Sequence, residues 1–252
     1  MKFFQQLVSI ATSTILLSVL PQFSVSNLSW LHSRIKFNSQ ALAGIEQNYV
    51  PPKDRERRAR TEGAGSRGCD QDISVSLNLL APNNHVPLTV SSHPTLFWYV
   101  SNTSLPMRFI LAEPGVAKPV WKQRIKPERS GIVTLKLPSK VPGLKVGKDY
   151  RWTVSLICDE NIHSKNPYAY AWIERVPATP ELAQKLVAVS QERERSLIYA
   201  QSGVWYDALV SIYNAHNAHP KDKLANWYLS RLLAQVGLSE VVNREWHQSN
   251  GK

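Results

Sequence analysis

Leu144-Lys145-Val146-Gly147-Lys148-Asp149-Tyr150-Arg151-Trp152-Thr153-Val154-Ser155-Leu156-Ile157-Cys158 carries the reading of the fold. Within it Tyr150, Trp152, Val154 and Leu156 alternate with Arg151, Thr153 and Ser155. Side chains on a strand point to opposite faces in turn, so the apolar set shares one face and the polar set the other. One buried and one wet side are implied. Upstream, Ile73, Val75, Leu77 and Leu79 alternate with Ser74, Ser76 and Asn78 in the same way. Outward from these two runs lie further short apolar segments, giving candidate strands at 72–80, 87–90, 95–100, 107–111, 119–125, 131–137, 149–157 and 168–176. Turn residues separate them: Pro82-Asn83-Asn84, His93-Pro94, Pro114-Gly115, Pro138 and Pro142-Gly143. Residues 69–177 therefore read as an all-β domain.

After Thr179 the apolar period lengthens to the helical one. Thr179-Pro180-Glu181 is a helix start: a capping hydroxyl, a proline in the first turn and an acid behind it. Leu182, Leu186 and Val189 mark one helical face. Trp205, Ala208, Leu209, Ile212 and Ala215 mark a second. Leu224, Trp227, Tyr228, Leu232 and Val236 mark a third, with Gly237 as a stop. Residues 178–252 are expected to form a small all-α module of helical hairpins.

The N-terminus reads as an export address. Lys2 precedes an apolar stretch of 14 residues, 7–20, too short to span a bilayer comfortably and suited to a signal peptide. Ser24-Val25-Ser26 and Ala41-Leu42-Ala43 both offer a cleavage site, and the second has the better small-x-small pattern. Cleavage after Ala43 gives a signal over 1–43 and removes Lys2, Arg34 and Lys36. The chain as a whole has 30 basic and 19 acidic residues. Residues 44–68 combine Tyr49-Val50-Pro51-Pro52, a charged run from Lys53 to Arg60, and Gly63, Gly65 and Gly68. That composition suggests a flexible basic arm. Cys69 and Cys158 are the two cysteines of the chain, and in an oxidising compartment such a pair is expected to bridge.

Three resemblances add to this reading. Leu144, Gly147 and Tyr150, entering a strand, resemble the tyrosine corner of immunoglobulin-like and fibronectin-type sandwiches. That likeness implies an immunoglobulin/fibronectin-like β-sandwich, with Trp98 as its core tryptophan. It also implies Cys69 and Cys158 at one pole. Tyr199, Gly203, Trp205, Ala208, Ile212, Ala215 and Pro220 stand at offsets resembling a tetratricopeptide repeat, and Leu229, Leu233 and Gly237 begin an incomplete second copy. Lastly there is the order of landmarks: Arg67-Gly68-Cys69, Pro94-Thr95-Leu96-Phe97-Trp98-Tyr99, residues 144–158, Asn166-Pro167, Trp172-Ile173-Glu174-Arg175-Val176 and Gly203-Val204-Trp205-Tyr206-Asp207-Ala208-Leu209. It resembles an exported cyanobacterial family catalogued as domain of unknown function nine-two-eight. The likeness covers roughly 66–240 and implies a bacterial extracytoplasmic setting, with no activity or ligand to carry over.

Chemistry-bearing residues are sparse. No phosphate loop, zinc spacing or nucleophile elbow stands in the sequence, so no catalytic residues, metal or cofactor are assigned. His216 and His219, three apart at a helix end, lack a third ligand nearby. The polar loop holding Asp159, Glu160, His163 and Asn166 follows Cys158, and His93 is expected at the same pole, making a candidate binding loop. Lys118, Lys122, Arg124 and Lys126 make a candidate basic strand, facing either an anionic surface or simply solvent at a protected sheet edge. The chain is thus expected to be a secreted or periplasmic, non-enzymatic binding or scaffolding protein. In that reading its helical module docks another envelope protein. The alternative is a β-sandwich that binds carbohydrate, an anionic glycan or a lipid surface. Nucleic acid is not an expected partner.

Overall fold

The computed structural model describes residues 49–53, 75–101 and 105–250, without the side chains of His163 and 245–250. The expected signal over 1–43, Cys69 and most of the arm lie outside the described residues.

Eight strands follow one another: β1 Leu77–Leu79, β2 Leu88–Thr89, β3 Thr95–Val100, β4 Met107–Ala112, β5 Trp121–Ile125, β6 Gly131–Lys136, β7 Asp149–Leu156 and β8 Tyr168–Arg175. They form a three-stranded sheet in the order β1-β3-β6 and a five-stranded sheet in the order β2-β8-β7-β4-β5. Pairing is antiparallel except for β2 against β8. Every candidate strand overlaps one of these, though the first shrinks to Leu77–Leu79 and the second to two residues.

The alternation on β7 sets the core. Tyr150, Trp152, Val154 and Leu156 are buried, while Arg151 is exposed. Trp152 lies opposite Leu111 on one side and Ala171 on the other; the methyl-sized neighbour leaves room for the indole. From the smaller sheet, fully buried Trp98 stacks 6.4 Å from Phe109 and donates its indole N–H to Met107 Sδ at 3.3 Å. The two sheets therefore share one core. At the entry to β7 the Tyr150 hydroxyl accepts the Lys145 N–H at 3.0 Å. Gly147 (φ +72°) makes the turn and donates to the Arg175 carbonyl at 2.7 Å.

Five helices follow: α1 Pro180–Val187, α2 Glu192–Gln201, α3 Trp205–Ala218, α4 Lys223–Ala234 and α5 Ser239–Asn250. Thr179 caps α1 as expected, accepting from Leu182 N at 3.2 Å. On α4 the buried face is Ala225, Tyr228, Leu229, Leu232 and Leu233; Leu224 and Trp227, expected inside, remain 39% and 48% exposed. Tyr228, Leu232 and Val236 are buried as expected, and Ala225, Leu229 and Leu233 complete the inner stripe.

The first turn of α3 fastens the helices to the sheets through three successive residues. Trp205 donates its indole N–H to the Leu80 carbonyl at 3.0 Å. Tyr206 accepts from Trp152 Nε1 at 2.8 Å and donates to the Trp172 carbonyl at 2.6 Å. Asp207 Oδ2 accepts from Thr89 Oγ1 at 2.7 Å and Val90 N at 3.1 Å. Further along, Tyr213 meets Phe97 edge-on at 5.2 Å. Residues Ile45–Lys252 cluster as one compact unit.

Tyr49 corrects the expectation of a flexible arm at its start. It is 6% exposed, edge-on to Trp205 at 5.1 Å and hydrogen-bonded to His85 Nε2 at 2.7 Å. Its amide donates to Gln235 Oε1 at 2.9 Å, and Val50 N donates to the Ala200 carbonyl at 3.0 Å. An aromatic ring held between two segments, with two backbone hydrogen bonds beside it, outweighs the chain entropy that proline and charge would otherwise favour.

Candidate functional site

The wet face of the five-stranded sheet gathers the exposed chemistry. β8 reads Tyr168-Ala169-Tyr170-Ala171-Trp172, and its alternation is inverted in size. Ala169 and Ala171 are fully buried, whereas Tyr168 is 57% exposed and Tyr170 and Trp172 are half-buried on the outer side. The register then builds rows across the sheet. Arg124 lies opposite Arg108, Arg108 opposite Ser155, and Ser155 opposite Tyr168. Lys122, Ile110, Thr153 and Tyr170 form the next row, and Ala112, Arg151 and Trp172 the third. Four cations thus share a face with three aromatic rings.

Electrostatics on this face are one-sided. Arg108 and Arg124 sit directly opposite each other, an arrangement that repels. Glu160 relieves it, with Oε1 2.6 Å from Arg124 Nη1 and Oε2 3.9 Å from Arg108 Nη2. Being about half exposed, this ion pair adds little to stability. The Arg151 guanidinium lies 5.5 Å from the centre of the Tyr170 ring. Asp149 is on the same face, at the far end of β7. Lys118 and Lys126 flank β5, which is the edge strand, and both are exposed.

The candidate binding loop does not assemble as expected. Asn166 is buried and accepts the Cys158 and Asp159 amides at 2.9 and 3.0 Å while donating to the Asp159 carbonyl at 2.9 Å. Asp159 Oδ1 in turn accepts from Asn161 N and Ile162 N at 2.8 and 2.9 Å. These two residues brace the loop. Glu160 belongs to the sheet face, and the side chain of His163 lies outside the described residues. His93 is at the opposite pole: its Nε2 meets the Val141 carbonyl at 3.0 Å, and the Ser92 carbonyl accepts from Leu144 N at 2.8 Å. These contacts hold His93 beside the run into β7, whereas Asp159 follows the other end of that strand, so the length of β7, roughly 26 Å at about 3.3 Å per residue, separates the two.

Among the helical residues, Trp205, Ala208 and Ile212 are fully buried and Tyr199 nearly so. Gly203 (φ +74°) turns α2 into α3, and an added Cβ there would lie 3.0 Å from the Val50 carbonyl. Ala215 is half-buried and Pro220 is exposed, its carbonyl accepting from Asn226 Nδ2 at 2.9 Å. Tyr199, Gly203, Trp205, Ala208 and Ile212 thus serve the internal packing of the helical module. His216 is engaged by Asn226 Oδ1 at 2.5 Å. Sequence reasoning passed over Arg108, Arg151, Tyr168, Tyr170 and Trp172; the aromatic-alanine alternation of β8 was the available signal. It also passed over Tyr206 and Asp207, whose partners are over 30 residues away in sequence.

Among the described residues no helix is long and apolar enough to cross a membrane. No curated protein matches the chain. A multi-domain immunophilin from Arabidopsis thaliana aligns over 81% of this chain and 100% of its own, with 10% identity and a TM-score of 0.20, a similarity too slight to bear on fold or function. The family profile described as Domain of Unknown Function (DUF928) matches residues 62–246, and the chain belongs to that family.

Proposed function

We propose that this protein is an exported, non-enzymatic binding protein of the cell envelope whose outer sheet face takes an anionic glycan. The observation that carries the proposal is the inverted strand Tyr168–Trp172, which turns aromatic rings to water beside Arg108, Lys122, Arg124 and Arg151. Aromatic planes pack on the apolar faces of sugar rings, and arginine pairs with carboxylate or sulfate in a bidentate fork. A flat, preformed sheet holds both kinds of group at fixed spacing. The basic balance of the chain adds long-range attraction.

Export is supported by the 1–43 segment and by the likeness to exported cyanobacterial proteins. An immunoglobulin/fibronectin-like sandwich is supported by the Tyr150–Lys145 hydrogen bond and the central Trp98. A Cys69–Cys158 disulfide fits the position of Cys158 directly after β7 and the approach of Ser76 to Ser101 and of Ile157 to Pro106, which brings the start of β1 toward the end of β7. A tetratricopeptide-like turn is supported by Gly203 and the close burial of Ala208.

A second reading, docking of an envelope protein by the helical region, rests on Leu224 and Trp227, which stay exposed on α4. The deciding experiment is binding of the full chain to an array of neutral and anionic glycans. The proposal expects selective, salt-sensitive retention on uronic or sulfated chains; equal indifference to all of them would remove it.

A further inference from the structure

A cavity of about 170 Å³ opens where α3 meets the ends of β2, β3 and β6, away from the outer sheet face. Asp207 and Thr89 are buried in its wall, the Tyr206 ring and His93 line it, and exposed Lys136 stands at its rim.

The chemistry of the lining is unbalanced in one respect. Asp207 is 8% exposed, and both hydrogen bonds it accepts from other residues end on Oδ2. Among the described residues none donates to Oδ1 except by way of its own backbone. Burial pushes this carboxyl up to about 6, against the hydrogen bonds from Thr89 and Val90. His93 does not neutralise it: its Nδ1 is taken by Ser92 Oγ at 2.9 Å and its Nε2 by the Val141 carbonyl. Lys136 lines the same cavity, and among the described residues no cation contributes to the shift of Asp207. A buried carboxyl and an exposed lysine therefore line the same space with no ion pair between them.

We propose that this cavity is a binding site for a small zwitterion of free amino-acid size, its ammonium on Asp207 and its carboxylate on Lys136. The size follows from the volume: at roughly 30 Å³ of liquid per water-sized group, the space takes roughly six heavy atoms. A sugar ring is larger. The charge pattern follows from the two groups left without each other. An ammonium donating to Oδ1 supplies the donor that the buried oxygen lacks, and the low-polarity floor strengthens that charge-assisted bond. A ligand with only one charge satisfies only one end. The inference stands apart from glycan binding, since Lys136 belongs to the three-stranded sheet.

The test uses the full chain in titration calorimetry with glycine, alanine and serine, alongside N-acetylalanine and alanine methyl ester, each of which lacks one charge. At least one free amino acid should bind saturably, and both blocked derivatives should bind about tenfold more weakly or worse. Asp207→Asn keeps an acceptor for Thr89 and should lose the same factor. Lys136→Glu, at an exposed position that leaves the fold intact, should do so as well, and decides alone if the Asp207 variant fails to fold. The inference is overturned if no free amino acid binds up to about 10 mM, if the blocked forms bind as tightly as the free ones, or if Lys136→Glu leaves the affinity unchanged.

Discussion

Trp152, at the centre of the five-stranded sheet, donates its indole N–H to the hydroxyl of Tyr206 on α3 across 2.8 Å. Both rings are almost completely buried. The helices are thus joined to the sheet at its most apolar point, by a bond that water cannot replace. Tyr206→Phe keeps the ring and removes the acceptor, leaving a buried N–H unpaired. The expected cost is about 2–3 kcal/mol, a fall in the thermal midpoint of roughly 4–12 °C. A midpoint within a degree of the parent would show that the contact is incidental.

Asp207 gives a pH signature. Its carboxyl moves from an ordinary 3.8 to about 6 in the folded chain, chiefly through burial. The folded state therefore holds this proton more tightly than the unfolded chain, so the native state is favoured below pH 4 and loses that advantage as pH rises to about 6. The loss is on the order of 3 kcal/mol. The parent's stability relative to Asp207→Asn should fall by about that amount between pH 4 and 7, measured by urea unfolding at each pH. Parallel curves would contradict the assignment.

Tyr49 ties the segment 49–53 to the core. Burial holds His85 below its usual pKa, so its ring is neutral. Nδ1 then donates to Asn84 Oδ1 at 2.6 Å, and Nε2 accepts from the Tyr49 hydroxyl. Tyr49→Ala should cost about 3–5 kcal/mol, and a chain beginning after Lys53 should lose as much. Tyr49→Phe should cost about 1 kcal/mol. Chemical denaturation of the three forms separates these outcomes; a truncated chain as stable as the parent would return the segment to the status of a tether.

The proposed Cys69–Cys158 bridge would close a loop of roughly 90 residues, worth about 4–5 kcal/mol on a chain-entropy account. Thiol titration of the full chain produced in an oxidising compartment, under denaturing, non-reducing conditions, should find no free thiol, and reduction should lower the unfolding midpoint. Two reactive thiols in the native product would remove the bridge.

Much of the sheet architecture was legible because a period of two is local. Tyr150 to Leu156 and Leu77 to Leu79 declare their faces within a few residues. The helix start at Thr179 was equally local. Long-range partners were not. Nothing near Asp207 announces Thr89, and nothing in Tyr49-Val50-Pro51-Pro52 announces Trp205. His93 was assigned to the wrong pole because loop length does not fix strand direction. The site itself was half visible: β5 carries its charges in plain sequence, but their meeting with Tyr168 and Tyr170 depends on two intervening strands.

The outer sheet face is the centre of this account, and it is tested most directly by retention of the full chain on an immobilised polyanionic glycan across a salt gradient. Arg124→Glu/Arg151→Glu and Tyr168→Ala/Tyr170→Ala are compared with the parent, and thermal unfolding is followed in parallel. The charge-reversal pair should elute at much lower salt, and the aromatic pair should lose selectivity among glycans of equal charge. The charge-reversal pair, at exposed positions, should unfold within about 2 °C of the parent, and the aromatic pair, with Tyr170 half-buried, within about 5 °C. If both folded variants elute with the parent, the face does not bind glycan and the proposed function is wrong.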